Sequence, residues 1–281
     1  MDVGLLHPGE MGAAVGRCLF EAGHTVLWAA AGRSGATSVR ARGAGLTDAG
    51  SVAGVAARAR IVLSICPPHA ALEVAREVAR CGFSGVFVDA NAIAPGTARS
   101  VGAVIAGGGG MFVDGGIIGS PPVAAGQTRL YLSGEHAGTV GELFTGTAVE
   151  ARIVSGGASV SGSAGVGAAS AVKMSYAAWT KGTAALLLAI RALARAEGVE
   201  EALLAEWALS QPALGARSEQ AARSAATKGW RWIAEMEEIA ASMAADGLPG
   251  GFHQAAADIY RRSAGEAGGA GSAGEPREPA G

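Results

Sequence analysis

The feature that most constrains this chain is an alternation: from Asp2 to about Ser155, short runs rich in Val, Ile and Leu are separated by longer helical stretches. A parallel strand can follow another only through a crossover connection, so this pattern builds a parallel sheet with helices on both faces. Strands are predicted at Asp2–Leu6, Thr25–Ala29, Arg60–Ile65, Gly85–Asp89, Met111–Ile118 and Thr128–Ser133, with helices between them. The second half reads differently. Ser161–Glu197 contains no proline and is rich in Ala, Leu and Val, so it can continue as one helix of roughly 50 Å at 1.5 Å per residue. Further helices are predicted at Glu200–Ser210, Gly215–Lys228, Arg231–Asp246 and Gly251–Arg262, with Pro212 and the LPGG stretch at Leu248–Gly251 as breakers. The expectation is an α/β domain over 1–157 and an all-α domain over 158–263 built on a long central helix. The remainder, 264–281, has no apolar residue larger than alanine to bury and is predicted to be a disordered tail.

Composition excludes several classes of partner. Hydrophobic residues make up 49% of the chain and charged residues only 16%, so much of it must lie in a core or an interface. A formal net charge of −2 and the absence of any Lys/Arg run provide no field for nucleic acid or a membrane surface. Cys18, Cys66 and Cys81 show no CxxC spacing, which argues for reduced thiols in a cytosolic setting and against a disulfide framework or metal site. No apolar stretch reaches the ~20 residues that span a bilayer. No leader-like segment is read at the start either, where a strand begins at Asp2.

The strongest local signal is VGLLHPGEMG at Val3–Gly12, a buried-type strand running into a glycine turn and then a helix. That is the Rossmann context. Amides at a helix N-terminus carry partial positive charge, and a turn without side chains lets a pyrophosphate approach them. Gly9 and Gly12 hold the second and third positions of the GxGxxG fingerprint, while His7 occupies the first. His7, Pro8, Gly9, Glu10, Met11 and Gly12 are therefore the candidate dinucleotide-binding positions. The chain has 45 glycines, so the glycine pattern alone is weak and its place directly after a strand carries the reading. Cofactor choice is read after the second strand, in LWAAAGRSGATSVR, which offers Arg33, Ser34 and Arg40 and no acid before Asp48. A guanidinium and a hydroxyl suit a 2′-phosphate, which favours NADPH; the alternative is that Arg33 is a solvated loop charge.

Lys173 stands among small and apolar residues in GAASAVKMSYAAWTKG, Gly167–Gly182, where an ammonium is costly to bury unless it meets a substrate or partner. Desolvation lowers a lysine's pKa towards neutrality, as a proton donor or acceptor requires. Tyr176, Ala177, Thr180 and Lys181 follow at three, four, seven and eight residues and share its helical face. The alternative for both lysines is a side chain snorkelling to water, the weightier reading for Lys181.

With Val3–Gly12, VDANAIAP at Val88–Pro95, DGGIIGSPP at Asp114–Pro122 and this lysine helix in order, the chain resembles the 3-hydroxyacid dehydrogenase superfamily. That group includes 3-hydroxyisobutyrate and 6-phosphogluconate dehydrogenases and the related imine reductases. Within it the stretches KMSYAAWTKG and GWRWIAEMEEIA are similar to a bacterial 6-phosphogluconate dehydrogenase-like branch. The resemblance covers about Asp2 to Arg262. It implies hydride transfer between NADPH and a small C=O or CH–OH substrate, with Lys173 as proton relay and Tyr176, Asn91 and Ser120 orienting the reacting group. It also implies a homodimer with interlocked C-terminal helices, and an active site between domains and often between subunits. Cys66, Pro67 and Pro68 fall where loop backbone packs along the cofactor, with rigidity rather than chemistry as their contribution. Asn91 falls where a small polar side chain lines the nicotinamide; its other reading is an Asn that closes its own turn.

Two departures bear on function. The hydroxyacid dehydrogenases have an asparagine four residues after the lysine, where this chain has Ala177; their substrate-binding serine and glycines are replaced by Ile118, Gly119 and Ser120. DGGIIGSPP is closer to the imine reductases, which commonly lack the lysine retained here. Three readings follow: a dehydrogenase, an imine reductase with Tyr176 as proton donor, or an NADPH-binding sensor or scaffold without catalysis. Trp230 and Trp232, with Glu235 and Glu238 on the same late helix, are expected in core or dimer interface. His253, in GGFHQAA, is open between site and structure.

Overall fold

The computed structural model describes residues 1–156 and 165–269 and comprises two compact units, Met1–Met174 and Ser175–Gly281. The first is built on strands β1 (Asp2–Leu6), β2 (Thr25–Trp28), β3 (Thr47–Asp48), β4 (Ile61–Ser64), β5 (Val86–Asp89), β6 (Met111–Gly119), β7 (Thr128–Ser133) and β8 (Val149–Ile153). Helices α1 (Glu10–Glu21), α2 (Gly35–Gly43), α3 (Val52–Ala56), α4 (Ala71–Arg80), α5 (Pro95–Gly107) and α6 (Ala137–Glu142) connect them. One sheet results, in the order β3-β2-β1-β4-β5-β6-β7-β8. Alternate residues feed opposite faces, because strand side chains have a period of two. Val3, Leu5, Val26 and Trp28 enter one core, and Leu6, Leu27, Val62 and Phe87 enter the other. Strands covered on both faces need no polar side, which is why IVLS and VFVD are buried throughout.

All six expected strands form. The sheet is not wholly parallel as expected, however: β7 runs antiparallel to β6, starting from the Gly119–Thr128 pair, since the short link between them has no room for a crossover. β3 and β8 were not foreseen; β3 has two residues, and VEARI in β8 lacks a run of β-formers. Strand order reverses at β1, which pairs with β2 on one side and β4 on the other. The ends of β1 and β4 therefore flank a topological switch point, the place where open α/β sheets bind ligands.

The helical part consists of α7 (Ala168–Ala196), α8 (Glu200–Ser210), α9 (Leu214–Ala245) and α10 (Gly251–Gly269). The expected start of the long helix at Ser161, and the expected boundary after 157, lie outside the described residues. The two helices anticipated at Gly215–Lys228 and Arg231–Asp246 are one continuous α9. A lone interior glycine costs a helix only about 1 kcal/mol, and Gly229 lies buried where a Cβ would approach the Tyr260 ring at 3.6 Å, so packing against α10 offsets that cost. α10 continues to Gly269, beyond the expected start of the tail at 264; residues 270–281 lie outside the described residues. Among the described residues no helix is long and apolar enough to cross a membrane.

Candidate dinucleotide and proton-transfer site

The turn after β1 is shaped by two close approaches. The Gly9 amide donates to the His7 carbonyl at 2.7 Å, and a Cβ on Gly12 would stand 2.7 Å from that same oxygen. Gly12 thus has to be glycine for the strand and helix to meet. Gly9 caps α1 with no side-chain hydrogen bond, so the first-turn amides of Glu10, Met11 and Gly12 have no side-chain acceptor from the cap. A diphosphate suits that donor set and the side-chain-free turn. His7, at the first fingerprint position, takes φ 63°, and among the described residues it is the only non-glycine with positive φ. Its Nε2 lies 2.7 Å from an Arg33 guanidinium nitrogen. Burial, with help from the Arg33 charge, holds the His7 pKa down to about 4. Arg40 donates to the Pro8 carbonyl at 3.4 Å. Ser34 caps α2, accepting from the Thr37 amide at 3.3 Å.

Across the switch point, Asn91 ties two loops together. Its Oδ1 accepts from the Cys66 amide at 2.5 Å, while its Nδ2 donates to Asp89 at 2.9 Å and to Ser64 at 3.4 Å. Only 3% of it is exposed. Both amide ends are engaged inside the protein, so Asn91 here clamps the ends of β4 and β5. The Cys66 thiol is pushed up to about 11, chiefly by burial, which leaves it protonated and inert as a nucleophile. Pro67 is extended and precedes a short 3-10 turn at Pro68–Ala70. The Cys66 amide is held by Asn91, and the rings of Pro67 and Pro68 fix φ along the same loop.

The start of α7 is held by a buried carboxylate that sequence reasoning missed. Asp114 in β6 accepts from the Gly167 and Ser170 amides at 3.1 and 3.0 Å, from the Ser170 hydroxyl at 2.5 Å and from Ser133 at 2.9 Å. Ser133 in turn accepts from the Ala169 amide at 3.1 Å. The donors at the N-terminus of a helix are satisfied by an acid from a neighbouring strand. An aspartate inside an apolar run was the available signal. Two residues on, a Cβ at Gly116 would meet the Lys173 Cβ at 2.9 Å, and one at Gly115 would meet the Asp89 carbonyl at 2.8 Å. These glycines let the lysine helix and the Asn91 loop close directly onto β6. Lys173 is half-buried. Ser120 is exposed just past β6, with its carbonyl accepting from Thr128 at 2.5 Å.

Tyr176, Lys181, His253, Trp230 and Trp232 belong to the second unit. Tyr176 is 47% exposed. Lys181 is ion-paired with buried Glu235, and its Nζ lies 5.7 Å from the Trp232 ring centroid. Tyr260 packs edge-on to Trp232 at 5.2 Å and donates to the Lys181 carbonyl at 2.6 Å. Lys181 thus pairs with Glu235 within the second unit, and Trp232 is half-buried beside it. Trp230 is 61% exposed with Arg231 over its ring. His253 is buried, edge-on to Phe252, and neither ring nitrogen has a hydrogen-bond partner.

A glycine turn opening a helix at the switch point of a doubly wound sheet is the arrangement of a dinucleotide-binding protein. The NAD binding domain of 6-phosphogluconate dehydrogenase matches residues 2–144, and a domain of unknown function, DUF1932, matches 194–263. The chain belongs to the first of these families and, through it, to the 3-hydroxyacid dehydrogenase superfamily of oxidoreductases. No curated protein matches the chain. Among solved structures, a conserved protein of unknown function, described as structurally similar to 3-hydroxyacid dehydrogenases, is 28% identical with TM-score 0.69, covering 95% of this chain and 99% of that one. Mycobacterium tuberculosis 3-hydroxyisobutyrate dehydrogenase with L-serine is 18% identical with TM-score 0.68, covering 94% of each chain. A Streptomyces aurantiacus imine reductase is 19% identical with TM-score 0.54, covering 95% of each. The last two likenesses concern the fold alone.

Proposed function

We propose that this protein transfers a hydride between NADPH and a small C=O or CH–OH substrate, with Lys173 as the proton relay. The observation that carries the reading is the seating of Lys173 against Gly116, on a helix whose first turn is locked by Asp114. The nicotinamide supplies or accepts the hydride when bound. Lys173 gives a proton to the carbonyl oxygen as hydride reaches the carbon, and takes it back in the reverse direction. Ser120 and Tyr176 provide hydroxyls that orient the reacting group, and Asn91 acts by fixing the loops at the ends of β4 and β5. Arg33, Ser34 and Arg40 favour a cofactor with a 2′-phosphate. The working unit is a homodimer joined through its helices: Trp179, Leu186 and Leu193 repeat every seven residues along α7 and are 63%, 42% and 64% exposed, a stripe suited to a second copy of the chain.

Imine reduction is the second reading, favoured by the exposed phenol of Tyr176. The test compares Lys173→Ala with Tyr176→Phe on 2- and 3-keto acid and cyclic-imine panels, with NADPH binding followed by nicotinamide fluorescence. The expected result is a fall in kcat of about 10²–10⁴ on keto acids for Lys173→Ala, with NADPH affinity unchanged. A comparable loss on imines confined to Tyr176→Phe replaces the reading by the second. NADPH binding without turnover on either panel leaves a sensor.

A further inference from the structure

We propose that His7 is a positioning residue for cofactor selectivity: its imidazole is the fixed acceptor that holds Arg33 ready for the 2′-phosphate of NADPH. The inference rests on the NADPH reading above and deepens it.

The backbone of residue 7 asks only for glycine. Its φ of 63° lies in the left-handed region, which glycine occupies without strain. Its carbonyl receives the Gly9 amide and sits under Gly12, and a glycine would perform both tasks equally. The imidazole therefore needs its own explanation, and among the described residues its one hydrogen bond is to Arg33, at 2.7 Å. A guanidinium can only donate, so Nε2 accepts and the ring proton sits on Nδ1, which is buried with no partner. Burial in that pocket keeps the ring neutral, and hence an acceptor, throughout the physiological range.

The contact joins the two segments that a dinucleotide has to bridge. His7 lies in the pyrophosphate turn after β1, and Arg33 lies in the stretch after β2 where the adenosine ribose is read. Arg40 reaches the same turn through the Pro8 carbonyl, while the Ser34 hydroxyl is engaged locally with Thr37. Arg33 donates one of its five N–H groups to His7 and keeps the rest of its fork for phosphate oxygens. With glycine at position 7, Arg33 would be a long solvated side chain, and the entropy of ordering it would weigh on each binding event. NADH has no 2′-phosphate and gains nothing from the arrangement.

The experiment measures dissociation constants of NADPH and NADH for the full chain by nicotinamide fluorescence, alongside thermal melts of each variant. His7→Gly, which suits the backbone, is expected to raise the NADPH constant about tenfold and to change the NADH constant by less than about twofold. His7→Gln, whose amide oxygen can also accept, is expected to retain the preference. In an Arg33→Ala background, His7→Gly is expected to have no further effect on NADPH binding, as a residue acting through Arg33 requires. A wild-type protein that binds both cofactors equally defeats the NADPH reading and this inference with it. If the wild type prefers NADPH, an unchanged preference in His7→Gly, or additive effects with Arg33→Ala, defeats the inference alone. Equal weakening of both cofactors by His7→Gly would mean that the ring serves the turn, and overturns it as well.

Discussion

The sheet unit and the helical unit differ in how they place their polar and large apolar side chains. In the first, the buried polar side chains Ser64, Asp89, Asn91, Asp114 and Ser133 form hydrogen-bonded clusters on β4 to β7 and in the loop after β5. In the second, buried His253 has neither nitrogen bonded, while large apolar residues such as Leu193 and Trp230 face solvent. A buried donor or acceptor costs about 1–3 kcal/mol if left unpaired; the clusters of the first unit avoid that cost, although His7 Nδ1, His24 Nδ1 and Trp28 Nε1 are buried there without a partner among the described residues. The second exposes Trp179, Leu186 and Leu193 along one helix. Under the proposed function, the first arrangement holds a cofactor in one geometry, and the second offers an apolar stripe to the proposed second copy of the chain.

The sharpest way to break this contrast is to remove the acid that locks α7. Asp114→Ala leaves two amides and two hydroxyls without their acceptor and is expected to destabilise the protein by about 3 kcal/mol or more, measured by urea denaturation. Loss below about 1 kcal/mol would mean that the cluster is not what holds the helix start. Next in size, Leu186→Arg with Leu193→Arg on the helical unit is expected to convert the proposed dimer to monomer in light scattering while leaving NADPH binding in place, since a charge buried in an apolar interface is strongly unfavourable. An unchanged mass at micromolar concentration would place the interface elsewhere.

The smallest expected effect concerns pH. Burial, with Asp114 adding to it, pushes the Asp89 carboxyl from 3.8 up to about 7. A carboxyl with a raised folded-state pKa holds a proton that the unfolded chain releases. Its contribution to stability is therefore complete below about 3.8 and is lost as pH rises through about 7. Comparing urea midpoints of wild type and Asp89→Asn from pH 5 to pH 8, the wild type is expected to lose stability relative to the variant as pH rises. Parallel profiles would show that Asp89 is already ionised in the folded state.

Local signals were legible where local rules act. VGLLHPGEMG told of a strand, a bare turn and a helix because each demand falls on adjacent residues, and β1 begins and ends where the pattern put it. Asn91 was picked out by its place after a strand, but whether its amide faces a ligand or the protein depends on Cys66 and Ser64, which no spacing brings near. The pattern reads as two helices, ending at Lys228 and starting at Arg231, where the structure has one: Gly229 lies buried against Tyr260 of α10, and α9 runs straight through.

By itself, then, the sequence determined the period of each element, the bare turn, the lysine on a long helix and the arginines after β2, since these follow from side-chain chemistry and neighbours a few residues away. Only the tertiary structure decided that β7 turns back against β6, that Asp114 caps a helix 53 residues further on, and that His7 grips Arg33. Those pairings are set by chain crossings and packing across the sheet, and a linear pattern carries no record of which distant donor meets which acceptor.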